Sequence, residues 1–196
     1  MSVVQMIVPV MLAGLLTENM ILTRFLGICP FLGVSQKLST AVSMSAAVTL
    51  VMVLSTAATY PIYLYLLLPR ELEYLQTLVF ILIIASLVQL AEIVLKKIAP
   101  PIYSALGVYL PLITTNCVVL GITMLNFTDP RIINFPLALL NALFSGLGFM
   151  LAMVLFSGVR GRTASSDIPE PLKGLPITLI AASIVSLSFL GFKGMV

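Results

Sequence analysis

Charged side chains divide this chain into six long apolar stretches: residues 1–17, 38–69, 74–91, 98–128, 132–159 and 174–192. The stretches are continuously apolar rather than alternating, which excludes the strands of a membrane barrel. A helix needs about 20 apolar residues to cross the hydrocarbon core. The pattern therefore predicts an all-α membrane protein with six transmembrane helices. Residues 38–69 and 98–128 exceed one upright span but fall short of two. The first is expected to end as a helix near Tyr60-Pro61, leaving Tyr63 and Tyr65 at the interface. The second contains Gly107, Pro111 and Gly121, which predicts an interrupted helix. The first span breaks in its own way: it meets Glu18, Asn19 and Arg24, then resumes through Cys29 and Pro30 to Gly33. Unwound backbone at membrane depth is tolerated only inside protein or beside a cavity.

Composition sharpens this picture. Of 196 residues, 60% are hydrophobic and 9% charged, against about a quarter charged in a soluble domain. That excludes a soluble enzyme and also a disordered chain. Histidine is absent, which removes Ser-His triads, imidazole bases and histidine-ligated metals. The net charge of +3 is carried by basic residues scattered singly or in pairs, so no nucleic-acid footprint is expected. With the N-terminus outside, the inner segments hold Arg24, Lys37, Lys96, Lys97, Arg160, Arg162 and Lys173, and the outer ones Arg70, Arg131 and Lys193. This seven-to-three bias predicts both termini outside. No basic residue precedes Arg24, so no cleaved signal peptide is expected. The longest solvated loop is 158–173, and residues 1–196 read as a single integral membrane domain.

A short repeat surrounds the two cysteines. Residues 29–35 and 117–123 share the pattern Cys-x-x-Leu-Gly-(Val/Ile)-(Ser/Thr). Each copy falls in the first span of a three-span half, about 1–98 and 99–196. An odd number of spans makes the second half start on the opposite face. The expected layout is two inverted three-helix repeats with interrupted first helices that face each other near the midplane.

Cys29 and Cys117 have several chemistries open to them. Buried free cysteine commonly packs as a small hydrophobe, and a disulfide is possible. A thiolate in lipid would be an unpaired charge, unless a metal holds it in that state. Two thiolates cannot complete a four-thiolate iron–sulfur site, so the metal reading requires a partner of the same layout to supply two more.

The segments Leu22–Ser35 and Leu110–Gly121, with Thr17-Glu18-Asn19, closely resemble the A subunit of the Rnf electron-transport complex. That family is related to the E subunit of the sodium-pumping NADH:quinone reductase, and the resemblance extends over the whole chain. It implies a multi-pass protein of a bacterial or archaeal cytoplasmic membrane. It implies pairing with a paralogous E subunit in opposite orientation, alongside the B, C, D and G subunits. It also implies one [2Fe–2S] cluster at the interface, with Cys29 and Cys117 as this chain's two ligands. The complex would exchange electrons between ferredoxin and NAD, coupled to sodium or proton movement.

The remaining polar residues are read beside that site. Arg24 could offset the cluster's negative charge, or snorkel to the interface. Glu18 and Asn19 could serve ion passage, partner Arg24, or simply end a helix. Asn116, Thr114 and Thr115 could donate hydrogen bonds to cluster sulfurs, or join helices. Gly33 and Gly121 are expected to allow close backbone approach. Small residues along 39–49, Ala142, Gly146 and Gly148 read as packing surfaces. The run Ser55–Thr59 lacks the glycine of a covalent flavin-attachment segment, so no flavin is expected here. A small secondary transporter and a non-redox scaffold are the competing function classes. The feature matched between the halves is a cysteine rather than a polar cluster, which favours electron transfer.

Overall fold

The computed structural model describes residues 3–70, 73–98, 112, 116–132 and 134–192. All regular structure among them is helical. We number the α-helices α1 (Val3–Leu12), α2 (Ile28–Val34), α3 (Leu38–Ile62), α4 (Gln76–Ile98), α5 (Cys117–Thr128), α6 (Phe135–Ala164) and α7 (Leu175–Leu190). Among the described residues, three segments are long and apolar enough to cross a membrane: Leu38–Leu67, Gln76–Ile93 and Phe135–Ala164. Ile7–Thr17, α5 and α7 are shorter apolar helices. Local sequence explains several boundaries. Proline near the first position starts α6 and α7, where its missing N–H costs nothing. Lys96 and Lys97 close α4, and Arg162 closes α6, each facing the negative end of a helix dipole.

The α3–α6 pair is the spine of the bundle. Gly146 of α6 lies against Thr49 of α3, and Gly148 lies against the Gly14 carbonyl. Side chains at either glycine would collide with those neighbours, so small residues are what let three backbones converge there. Ala142 is fully buried on the same helix. The small-residue reading of α6 is thus borne out. Phe31 of α2 stacks on Phe156 of α6 with centroids 4.0 Å apart, which ties the short second helix to the spine.

Two sequence expectations need correction. Helix α3 does not end at Tyr60-Pro61; it runs through Pro61 and continues as π-helix from Tyr63 to Leu67. Proline removes one intrahelical donor, and the wider π-turn that follows lets the chain continue without breaking. This also turns Tyr63 inward, where its ring lies 4.0 Å from Phe127 and packs edge-on near Phe80. Tyr65 does face outward, at 82% exposure. Gly121 does not interrupt a helix, since α5 runs unbroken through it. Helix α5 starts at Cys117, preceded by Asn116 in extended backbone. Gly107, Pro111, Thr114 and Thr115 fall outside the described residues.

Candidate functional site: two thiols on adjoining segments

The first break has a specific support. Helix α1 loosens into a π-turn over Ala13–Thr17 and stops at Glu18. The next residue, Asn19, is fully buried. Its amide donates to the Gly148 carbonyl at 2.7 Å and reaches Leu15 O at 3.4 Å. Its Oδ1 accepts from the backbone N–H groups of Ile21 at 3.1 Å and Leu22 at 3.4 Å. One side chain therefore serves four backbone groups around the break, as unwinding inside a membrane requires. Ser186 of α7 donates to the Leu22 carbonyl. Phe25 (φ 56°) and Gly27 (φ 82°) then take left-handed backbone and turn the chain into α2.

The second segment begins at Asn116, the N-cap of α5. Its Oδ1 accepts from Val118 N–H at 3.1 Å, a standard capping bond. Its Nδ2 is buried and has no hydrogen-bond partner among the described residues.

These two segments meet. The backbone N–H of Gly27 donates to Cys117 Sγ at 3.0 Å. Gly27 sits so tightly against α5 that an added Cβ would collide with Val118 Cγ2. A Cβ on Gly121 would come within 2.8 Å of Leu26 Cδ1. The chain two residues before Cys29 is thus in direct contact with Cys117. Both thiols are free and exposed on the surface of this chain, unlike the buried hydrophobic cysteines that the plainest reading expects. Among the described residues, no three Cys, His, Asp or Glu side chains gather into a metal-binding group. Gly33 is exposed, and among the described residues only Leu112 Cδ2 lies near it, at 3.9 Å.

An ion-pair network flanks the first break. Glu18 pairs with Arg24 at 2.5 Å and with Arg131 at 2.6 Å, and Arg131 also grips Asp129 at 2.6 Å. Burial alone would push the Asp129 carboxyl up, but hydrogen bonds and charge from Arg131 outweigh it and hold that carboxyl below its ordinary range. Partnership of Glu18 with Arg24 is one of the alternatives open in the sequence. Arg24 and Arg131, counted on opposite faces in the sequence, share Glu18 as a partner. Without Arg24 the basic bias is six to three, which keeps its sign.

Sequence reasoning missed three features. Gly27 is one; a glycine two positions before a cysteine was its only trace. Arg131 is another, since it meets Glu18 across 113 residues. The third is a polar ladder in which Asn141 donates to Asn126 Oδ1 at 2.9 Å and Asn126 reaches Thr56 Oγ1 at 3.4 Å. Asparagine inside an apolar stretch was the available signal.

The family model described as "Rnf-Nqr subunit, membrane protein" matches residues 7–196. The chain belongs to the Rnf–Nqr family. It is 50% identical over 186 residues to the A subunit of the Na(+)-translocating ferredoxin:NAD(+) oxidoreductase complex of Acetobacterium woodii, covering 95% of this chain and 96% of that protein. It is 46% identical to the A subunit of the ion-translocating oxidoreductase complex of Tolumonas auensis, with 95% of each chain covered. The corresponding protein of Azotobacter vinelandii is 43% identical, with 97% of each covered. Membership in the Rnf–Nqr family agrees with the resemblance of the cysteine segments and with the apolar helices described above.

Proposed function

We propose that this chain is a membrane subunit of an ion-translocating ferredoxin:NAD oxidoreductase complex. It would carry electrons across the membrane through a [2Fe–2S] cluster shared with a paralogous E subunit. The observation that carries this reading is the meeting of the two cysteine segments, with Gly27 N–H on Cys117 Sγ and Cys29 two positions after Gly27 in sequence. The family and the names of the relatives support the complex.

The residues present suit such a group. Two exposed thiols on adjoining segments can turn toward a second protein. Two more thiolates from that partner would complete a four-thiolate set. The unpaired Asn116 Nδ2 is a buried donor beside Cys117, and such donors tune the potential of iron–sulfur centres. Exposed Gly33 leaves room for a partner's backbone. When bound, the cluster supplies one-electron transfer at mid-depth. This chain's residues would hold two of its ligands, fix their backbone through Asn19 and Asn116, and aim the Gly27 N–H at the Cys117 sulfur. Helix α5, of 12 residues, rises about 18 Å, little more than half of the hydrocarbon core. With the charged residues Asp129 and Arg131 just past its far end, Cys117 at its start would lie near the midplane. That depth fits six spans in two inverted halves, with both termini outside a bacterial or archaeal cytoplasmic membrane. The B, C, D and G subunits would complete the complex, and no flavin is assigned to this chain.

The test is electron flow from reduced ferredoxin to NAD in vesicles carrying the whole complex. Cys29→Ala and Cys117→Ala should each abolish it while all subunits still co-purify. Full electron transfer in both variants would reject the assignment.

A further inference from the structure

A cavity of about 490 Å³ opens where α2 stops, α6 stops and α7 starts. Its walls are of two kinds. Phe156, Ile168, Ile177 and Ala181 give it an apolar side that follows the membrane helices α6 and α7. Arg160 and Lys173 stand on its lining as cations. Arg160 Nη1 donates to Leu32 O at 2.6 Å and to Ser35 Oγ at 3.0 Å. Its other N–H groups, and the Lys173 ammonium, have no carboxylate partner among the described residues. Asp167 and Glu170 belong to the same loop but do not line the cavity. The volume far exceeds that of a single water or ion.

We propose that this cavity binds an anionic glycerophospholipid, with the phosphate between Arg160 and Lys173 and an acyl chain along Phe156, Ile177 and Ala181. The two-part chemistry is what carries the assignment. A free anion has no use for the apolar wall, and a neutral lipid has no use for two unpaired cations. Basic pockets between membrane helices recognise anionic headgroups, each basic residue contributing roughly fivefold in affinity. The site also touches the candidate redox region indirectly. Arg160 holds the C-terminal end of α2, the helix that carries Cys29, and Phe156 stacks on Phe31 of that helix.

The experiment uses the purified complex in phosphatidylcholine nanodiscs with a diazirine-bearing phosphatidylglycerol probe, followed by peptide mapping. Crosslinks are expected on peptides containing Phe156 and Ile177–Ala181. Unlabelled phosphatidylglycerol should compete; phosphatidylcholine and inorganic phosphate should not. Lys173→Gln, at an exposed loop position, should weaken labelling about fivefold, and Lys173→Arg should retain it. Equal labelling in Lys173→Gln, equal competition by phosphatidylcholine, displacement by inorganic phosphate, or no labelling because a partner covers this face would each overturn the proposal.

Discussion

At the scale of single residues, Asn116 combines two roles that substitutions can separate. Its Oδ1 caps α5, and its Nδ2 points, unpaired, from a buried position beside Cys117. Asn116→Ala should lose the cap, at about 0.5–2 kcal/mol, and should also lower the midpoint potential by removing a donor that favours the reduced state. Asn116→Ser keeps a side-chain oxygen for the cap but loses the Nδ2 donor. It should preserve most of the thermal stability and still lower the potential. Redox titration of the two variants checks this, and an unchanged potential in both would leave Asn116 as a cap only. Gly27 is equally open to test. Gly27→Ala meets both a left-handed φ and a collision with Val118, so it should separate Cys117 from its N–H donor and destabilise the site.

At the scale of elements, the break between α1 and α2 rests on Asn19. Asn19→Leu would strip partners from four backbone groups in a buried setting. Each buried group left unsatisfied costs about 1–3 kcal/mol, so a drop in detergent melting temperature should accompany loss of pairing with the E subunit. A melting curve unchanged from the parent would mean that water supports the break instead. Much of this scale was legible in the sequence. Charge-free stretches located the helices, because lipid-facing segments carry few charges. Glu18 and Asn19 marked the first break, because polar groups rarely stand in a span without a task. The course of α3 past Pro61 was not legible, since nothing local distinguishes a proline that ends a helix from one relieved by a π-turn. The register of the two cysteine segments was visible only as a shared motif. Their contact through Gly27 depends on backbone angles that sequence does not display.

At the scale of the whole molecule, the Glu18–Arg24–Arg131–Asp129 network ties the first break to the loop after α5. Its link between Glu18 and Arg131 spans 113 residues, so periodicity could not reveal it. Asp129 titrates in the folded chain below its ordinary value of 3.8. A lowered carboxyl contributes stability that is complete above the unfolded value and is lost as pH falls through the folded one. Melting temperature should therefore hold down to about pH 5 and decline below about pH 4. In Arg131→Gln the acid-side decline assigned to Asp129 should shrink, because the carboxyl then has little shift to lose. Identical acid profiles in parent and variant would remove the network from the stability of the loop.

The central claim concerns two sulfurs that one chain offers and cannot by itself complete into a cluster site. Iron and sulfide analysis with electron paramagnetic resonance, on this chain alone and on its co-purified pair with the E subunit, tests that claim most directly. The account predicts two irons and two sulfides per pair, a [2Fe–2S] signal after reduction, and neither in the isolated chain. Stoichiometric iron on this chain alone, or a pair without the signal, would contradict it.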